Sequence, residues 1–208
     1  MSIQKGNSEN NKKSIDFSIN SIKYGLLQQK SDIIKINELF NNFFQKENPN
    51  IIKNTPNSYE FTLDKLENIN FNFEIIPEEE LKNIYNIYHY FNFFLILIDI
   101  QSSDSLKILE SYIDRLIDCS QDNTKKSYIF GVYKNSNSII YKDERITTIL
   151  NCKGIDYEYF EINADIIDEF SKFVYYLIED SKDLMEEIDF EDINNKYRKD
   201  KGKSCLII

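Results

Sequence analysis

This chain predicts an α/β fold: a doubly wound, mostly parallel sheet with helices on both faces and one antiparallel edge hairpin. Three observations carry it. Segments with helical apolar spacing alternate along the chain with short apolar runs. Residues 93–98 are apolar without interruption, as a strand buried on both faces requires. Residues 59–63 and 69–75 alternate apolar with polar and are separated by a polar turn, which is the pattern of a hairpin.

Each element has its own signal. Residues 1–20 read as a polar leader, with Ile15, Phe17 and Ile19 alternating as if to extend a strand. Residues 22–27 read as the first strand. Ile36, Leu39, Phe40, Phe43 and Phe44 give residues 35–44 helical spacing. Pro49 and Pro56 bracket a loop. The hairpin carries Tyr59, Phe61 and Leu63, then Ile69, Phe71, Phe73 and Ile75.

Pro77 with Glu78, Glu79 and Glu80 makes a helix start, because acids suit the positive end of the helix dipole. That helix is expected to run to about Tyr90. After the buried strand 93–98, residues 105–119 are helical, with Leu106, Leu109, Ile113 and Leu116 in period. Strands follow at 128–133 and 157–162, with a short helix at 143–151 between them. A long helix spans 168–184, with Phe170, Phe173, Val174 and Leu177 on one face.

The 208 residues divide into the leader 1–20, one domain over 21–185 and a tail over 186–208. Net charge is −10. The segment before the C-terminus is basic, with Lys196, Arg198, Lys199, Lys201 and Lys203 against one acid, Asp200. An acidic body on a cationic tail excludes general nucleic-acid binding, which needs a cationic surface. The Asn runs follow a composition rich in Asn, Ile, Lys and Tyr and mark no prion-like segment. Three scattered cysteines, Cys119, Cys152 and Cys205, form no disulfide framework and fit a reducing cytosol. The leader lacks the apolar core of a signal peptide, and no apolar run is long enough to span a bilayer.

The chain closes with Cys205-Leu206-Ile207-Ile208, a C-a-a-X box. Such a box predicts prenylation of Cys205 and removal of Leu206, Ile207 and Ile208. One lipid chain anchors only marginally, and a second signal is needed for stable attachment. The basic residues supply it, at about 1 kcal/mol each beside anionic headgroups. The expectation is a lipid-anchored chain on the cytosolic face of cell membranes or endomembranes. Apolar Ile208 leans toward geranylgeranyl rather than farnesyl.

Other chemistry-bearing residues read as structural. His89, the only histidine, has no nucleophile pattern beside it and too few donors for a metal. Glu78 to Glu80 read as a helix start rather than a cation site, and the acidic run 186–192 as a solvated linker. Cys119 lies at a helix end and Cys152 in a loop, without a signature of reactivity.

Three local stretches carry a resemblance. Phe94-Leu95-Ile96-Leu97-Ile98-Asp99 followed by Ser102 to Leu106 is the first. Glu144-Arg145-Ile146-Thr147 is the second. Gly154-Ile155 leading to Tyr159-Phe160-Glu161-Ile162-Asn163-Ala164 is the third. With the element order and the C-terminal box, they make residues 20–185 resemble a small GTPase of the Ras superfamily, closest to the Rab or Ras branch. The resemblance implies a P-loop-NTPase-like fold, GTP or GDP with Mg²⁺ as cofactor, and GTP hydrolysis. It also implies a prenyltransferase, lipid-binding escort proteins and effector proteins as partners, in vesicle traffic or membrane signalling.

The nucleotide motifs implied by that resemblance are degraded. A P-loop, G-x-x-x-x-G-K-[ST], closes backbone N–H groups around phosphates. Its place is taken by residues 29–36, where Gln29 and Ile34 replace the glycines and Ile36 replaces the Mg²⁺ hydroxyl. Only Lys35 remains. A β-branched residue resists φ > 0. The family's D-x-x-G appears as Glu74-Ile75-Ile76-Pro77, and proline has no N–H for a γ-phosphate. Glu78 stands at the water-orienting position. Lys134 or Asn135 is the remnant of N-K-x-D, and S-A-K has become Asn163-Ala164-Asp165. Thr55 is the candidate switch threonine. Five glycines in the chain, about a third of ordinary usage, agree with a lost cradle.

Two readings result. One is a Rab/Ras-like GTPase with weakened or lost GTP binding and hydrolysis. The other is a pseudo-GTPase, a membrane-tethered module that binds protein partners through a fixed surface around residues 45–90 without a nucleotide cycle.

Overall fold

A computed structural model describes residues 21–63, 69–120, 125–166 and 168–185, apart from the side chains of residues 82 and 83. The elements are β1 (Ser21–Gln28), α1 (Ile36–Glu47), β2 (Asn50–Thr55), β3 (Ser58–Thr62) and β4 (Asn70–Ile75). They continue with α2 (Ile84–Ile87), β5 (Phe93–Asp99), α3 (Ser105–Cys119), β6 (Ser127–Tyr133), α4 (Asp143–Lys153) and β7 (Tyr157–Asn163). A last helix, α5, covers 168–185. The leader 1–20, the hairpin turn 64–68 and the whole tail 186–208 lie outside the described residues.

Seven strands form one sheet in the order β2-β3-β4-β1-β5-β6-β7. β1 is parallel to β4 and β5, and β6 is parallel to β5 and β7. β3 runs against both β2 and β4, so it is the one reversed strand among those described. The fold is therefore α/β with a mostly parallel sheet and an antiparallel edge, as expected.

β5 shows why its sequence is continuously apolar. Phe93, Leu95 and Leu97 face a core with α1 and α5, while Phe94, Ile96 and Ile98 face a second core with α3 and α4. The first core is aromatic: Tyr24 stacks on Phe73 at 4.2 Å, and Phe40 on Tyr59 at 4.1 Å. Such pairs add about 0.5–1.5 kcal/mol each beyond their buried area. α5 is fixed at the amino ends of the strands by ions. Lys126 Nζ lies 2.6 Å from Glu158 and 2.7 Å from Asp180, and Tyr128 Oη donates to Asp180 at 2.5 Å. Gly154 ends α4 at φ 66°, a left-handed cap that suits a residue without Cβ.

Three expectations are corrected. The loop between Pro49 and Pro56 is strand β2. All six of its residues are exposed, so the strand has no apolar alternation to reveal it. The helix from Pro77 to Tyr90 is broken into a 3₁₀ turn (Glu80–Asn83), α2 and a second 3₁₀ turn (Tyr88–Tyr90). Its buried residues Leu81, Ile84 and Tyr88, with Phe91 just beyond it, are spaced three, four and three apart. A spacing of three suits the 3₁₀ period and four the α period. Finally, Cys152 lies inside α4, exposed, rather than in a loop.

Candidate functional site at the carboxyl ends of the strands

Parallel strands β4, β1, β5, β6 and β7 all end at one edge of the sheet, where open α/β sheets bind ligands. The residues selected from the sequence lie there. Gln29, Ile34, Lys35 and Ile36 follow β1. Glu74 and Pro77 lie in and after β4, Lys134 and Asn135 follow β6, and Asn163 and Ala164 end β7.

The loop after β1 is filled by its own side chains. Gln29 is 4% exposed, and its N–H donates to Leu97 O at 2.9 Å. Its Oε1 accepts from the Asp99 N–H at 2.8 Å and from Ser105 Oγ at 3.1 Å. Ser31 Oγ donates to Asp99 Oδ2 at 2.6 Å, and Asp99 Oδ1 accepts from the Gln101 N–H at 2.9 Å. Asp99 O lies within reach of the same Ser105 hydroxyl, whose single proton is shared between it and Gln29 Oε1. Ile34 and Ile36, 7% and 3% exposed, belong to the core under α1. Left-handed backbone occurs at Asn48 and Gly154 among the described residues, and not in residues 29–35. Lys35 points outward and pairs with Glu38 at 3.1 Å across one helical turn. An exposed pair of that kind contributes about 0.2–0.5 kcal/mol.

Several of the other candidates are engaged as well. Glu74 is half-buried in β4, in register with Gly25. The Pro77 carbonyl accepts from the N–H groups of Glu80 and Leu81. Glu78 is exposed, and its charge adds to burial in raising the pKa of Tyr112, whose hydroxyl donates to Gln28 O at 2.9 Å. Gln101 stitches β5 to the end of β6. Its Oε1 accepts from Lys134 N–H at 2.9 Å, and its Nε2 donates to Asn135 O at 3.0 Å. Asn135 Oδ1 accepts from Asn137 N–H at 3.0 Å. Asn163 Oδ1 accepts from Asp165 N–H at 3.0 Å, and the Asn163 N–H donates to Glu169 at 2.8 Å. Ala164 N–H donates to Tyr133 O at 2.7 Å. Thr55, the candidate switch threonine, donates to Ser58 O at 3.3 Å in the β2–β3 turn.

Asp99, Gln101 and Ser105 hold this end together, and sequence reasoning did not assign them that task. Asp99 was visible as a carboxylate closing a buried strand. Its partners Gln29 and Ser31 are about seventy residues away, beyond any local pattern. His89 is exposed, edge-on to Tyr88. Among the described residues no group of three or more His, Cys, Asp and Glu could hold a metal, and no helix is long and apolar enough to cross a membrane. Burial raises the Cys119 thiol above its usual range, with Asp118 adding to it. Cys205, Leu206, Ile207, Ile208 and the basic residues Lys196, Arg198, Lys199, Lys201 and Lys203 lie outside the described residues.

No family model matches this chain, and no curated protein matches it.

Proposed function

We propose that this chain is a membrane-tethered interaction module without a nucleotide cycle. It is a divergent, P-loop-NTPase-like relative of the Rab and Ras small GTPases, prenylated at Cys205 and serving vesicle traffic or membrane signalling. One observation carries the reading: the loop at the P-loop position is occupied by the protein itself. Gln29 and Ser31 are bonded to Asp99, and Ile34 and Ile36 are packed in the core. A phosphate cradle needs free backbone N–H groups on a loop that can turn left-handed. The Gln101 stitch supports the reading at the base-reading position.

A module of this kind binds its protein partners with a fixed surface. Partner capture by the full chain, with and without GTP and Mg²⁺, tests it. The expected result is equal capture in both conditions. A partner held only in the presence of GTP would contradict the proposal.

A further inference from the structure

We propose that the β1–α1 loop is a latch, held shut by Ser31 on Asp99. The inference concerns the same site and rests on the functional reading only for its location. Residues 29–35 are pinned at both ends, by buried Gln29 and by Ile34, whose neighbour Ile36 is also in the core. Between those ends Lys30 and Asp32 are exposed and Ile33 is half-buried. Ser31 Oγ bridges this stretch to the sheet through Asp99 Oδ2 at 2.6 Å. The same oxygen accepts from the Ile33 N–H at 3.3 Å, so one hydroxyl fixes both the turn and its attachment.

Loss of that hydroxyl frees the centre of the loop while its ends stay anchored. Opening uncovers Asp99, now 9% exposed, at the end of β5. The atom freed is Asp99 Oδ2, a carboxylate acceptor. The freed oxygen therefore takes a hydrogen-bond donor or a cation.

Amide hydrogen exchange on the full-length chain tests the latch by comparing wild type, Ser31→Ala and Ser31→Thr. Loss of the hydroxyl that joins the Ile33 N–H to Asp99 is expected to speed exchange at Ile33 by roughly tenfold or more in Ser31→Ala. β1 and β5 keep their protection, and Ser31→Thr, which keeps the hydroxyl, exchanges like wild type. Wild-type rates in Ser31→Ala, or faster exchange spread through β5, would overturn the latch. GTP binding gained by Ser31→Ala would overturn the preference of the freed oxygen for a donor or a cation. Nucleotide bound to the wild-type chain would instead contradict the functional reading, and the exchange comparison would still decide the latch.

Discussion

Gln29 Oε1 accepts a hydrogen bond from the backbone N–H of Asp99 at 2.8 Å, joining β1 to β5 at the end where a nucleotide cradle would open. Ser105 Oγ lies 3.1 Å from the same oxygen, and its single proton is shared between Gln29 Oε1 and Asp99 O. Gln29→Ala leaves the Asp99 N–H without its partner. The expected cost is about 1–3 kcal/mol, read from denaturant midpoints. Gln29→Gly, which removes the same side chain and adds backbone freedom, is expected to lose at least as much. A stability gain in Gln29→Gly would mean that this amide is not structural.

How much of this end was legible follows from the range of its contacts. α3 was predicted over 105–119 and is Ser105–Cys119, because its apolar period is complete within its own residues. β5 was equally clear, since both faces are buried. β2 was missed because a strand exposed on both faces carries no alternation, and its pairing with β3 depends on backbone groups that every residue owns. In the sequence Gln29, Ile34 and Ile36 stand only as replacements for a motif. Their positive tasks, holding Asp99 and filling the core, depend on residues distant in the chain.

Lys126 links β6 to Glu158 and Asp180, with its side chain 12% exposed. Burial lowers its pKa, but hydrogen bonds to Asp180 and Glu158 outweigh that and raise it above the ordinary lysine value of 10.5. A raised folded pKa means that its contribution is complete below the unfolded value and is lost as pH climbs through the folded one. Lys126→Met leaves two carboxylates facing each other and is expected to cost about 1–3 kcal/mol, below the range for fully buried pairs because both keep contact with water. Chemical denaturation near neutral pH measures the loss. An unchanged midpoint would show that the ions contribute nothing to α5 docking.

Several tyrosines make the fold sensitive to alkali. Burial pushes Tyr24, Tyr128 and Tyr159 well above the ordinary value of 10.0, and pushes Tyr59 up to about 12. Above pH 10 the unfolded chain releases protons that the folded chain retains, so stability falls as pH rises. It is expected to be flat in these groups below that point. Urea midpoints from about pH 9 to about pH 11, with tyrosinate absorbance alongside, check the sign. Ionisation of these rings before unfolding would contradict it.

Gly131 sits where β6 passes Tyr159 and Ile100. A Cβ there would stand 2.8 Å from Ile100 Cγ2 and closer still to Tyr159 Oη. Gly131→Ala is expected to cost about 1–3 kcal/mol by overpacking. Adding Tyr159→Phe, which removes the nearest atom, should recover part of the loss. Additive losses in the double variant would place the strain elsewhere.

The tail makes its own prediction. Cys205→Ser is expected to move the chain from the membrane to the soluble fraction of cells. Intact mass of the wild-type chain should show a prenyl group on Cys205 with Leu206, Ile207 and Ile208 removed. Unchanged membrane recovery of Cys205→Ser would exclude the anchor.

The β1–α1 loop, closed by Gln29, Ser31 and Asp99, is proposed to hold no nucleotide. Release and identification of small molecules bound to the purified full-length chain, with a Mg²⁺-GTP titration alongside, tests it most directly. No guanine nucleotide and no binding into the millimolar range are expected. GDP or GTP recovered at near-unit stoichiometry would contradict it.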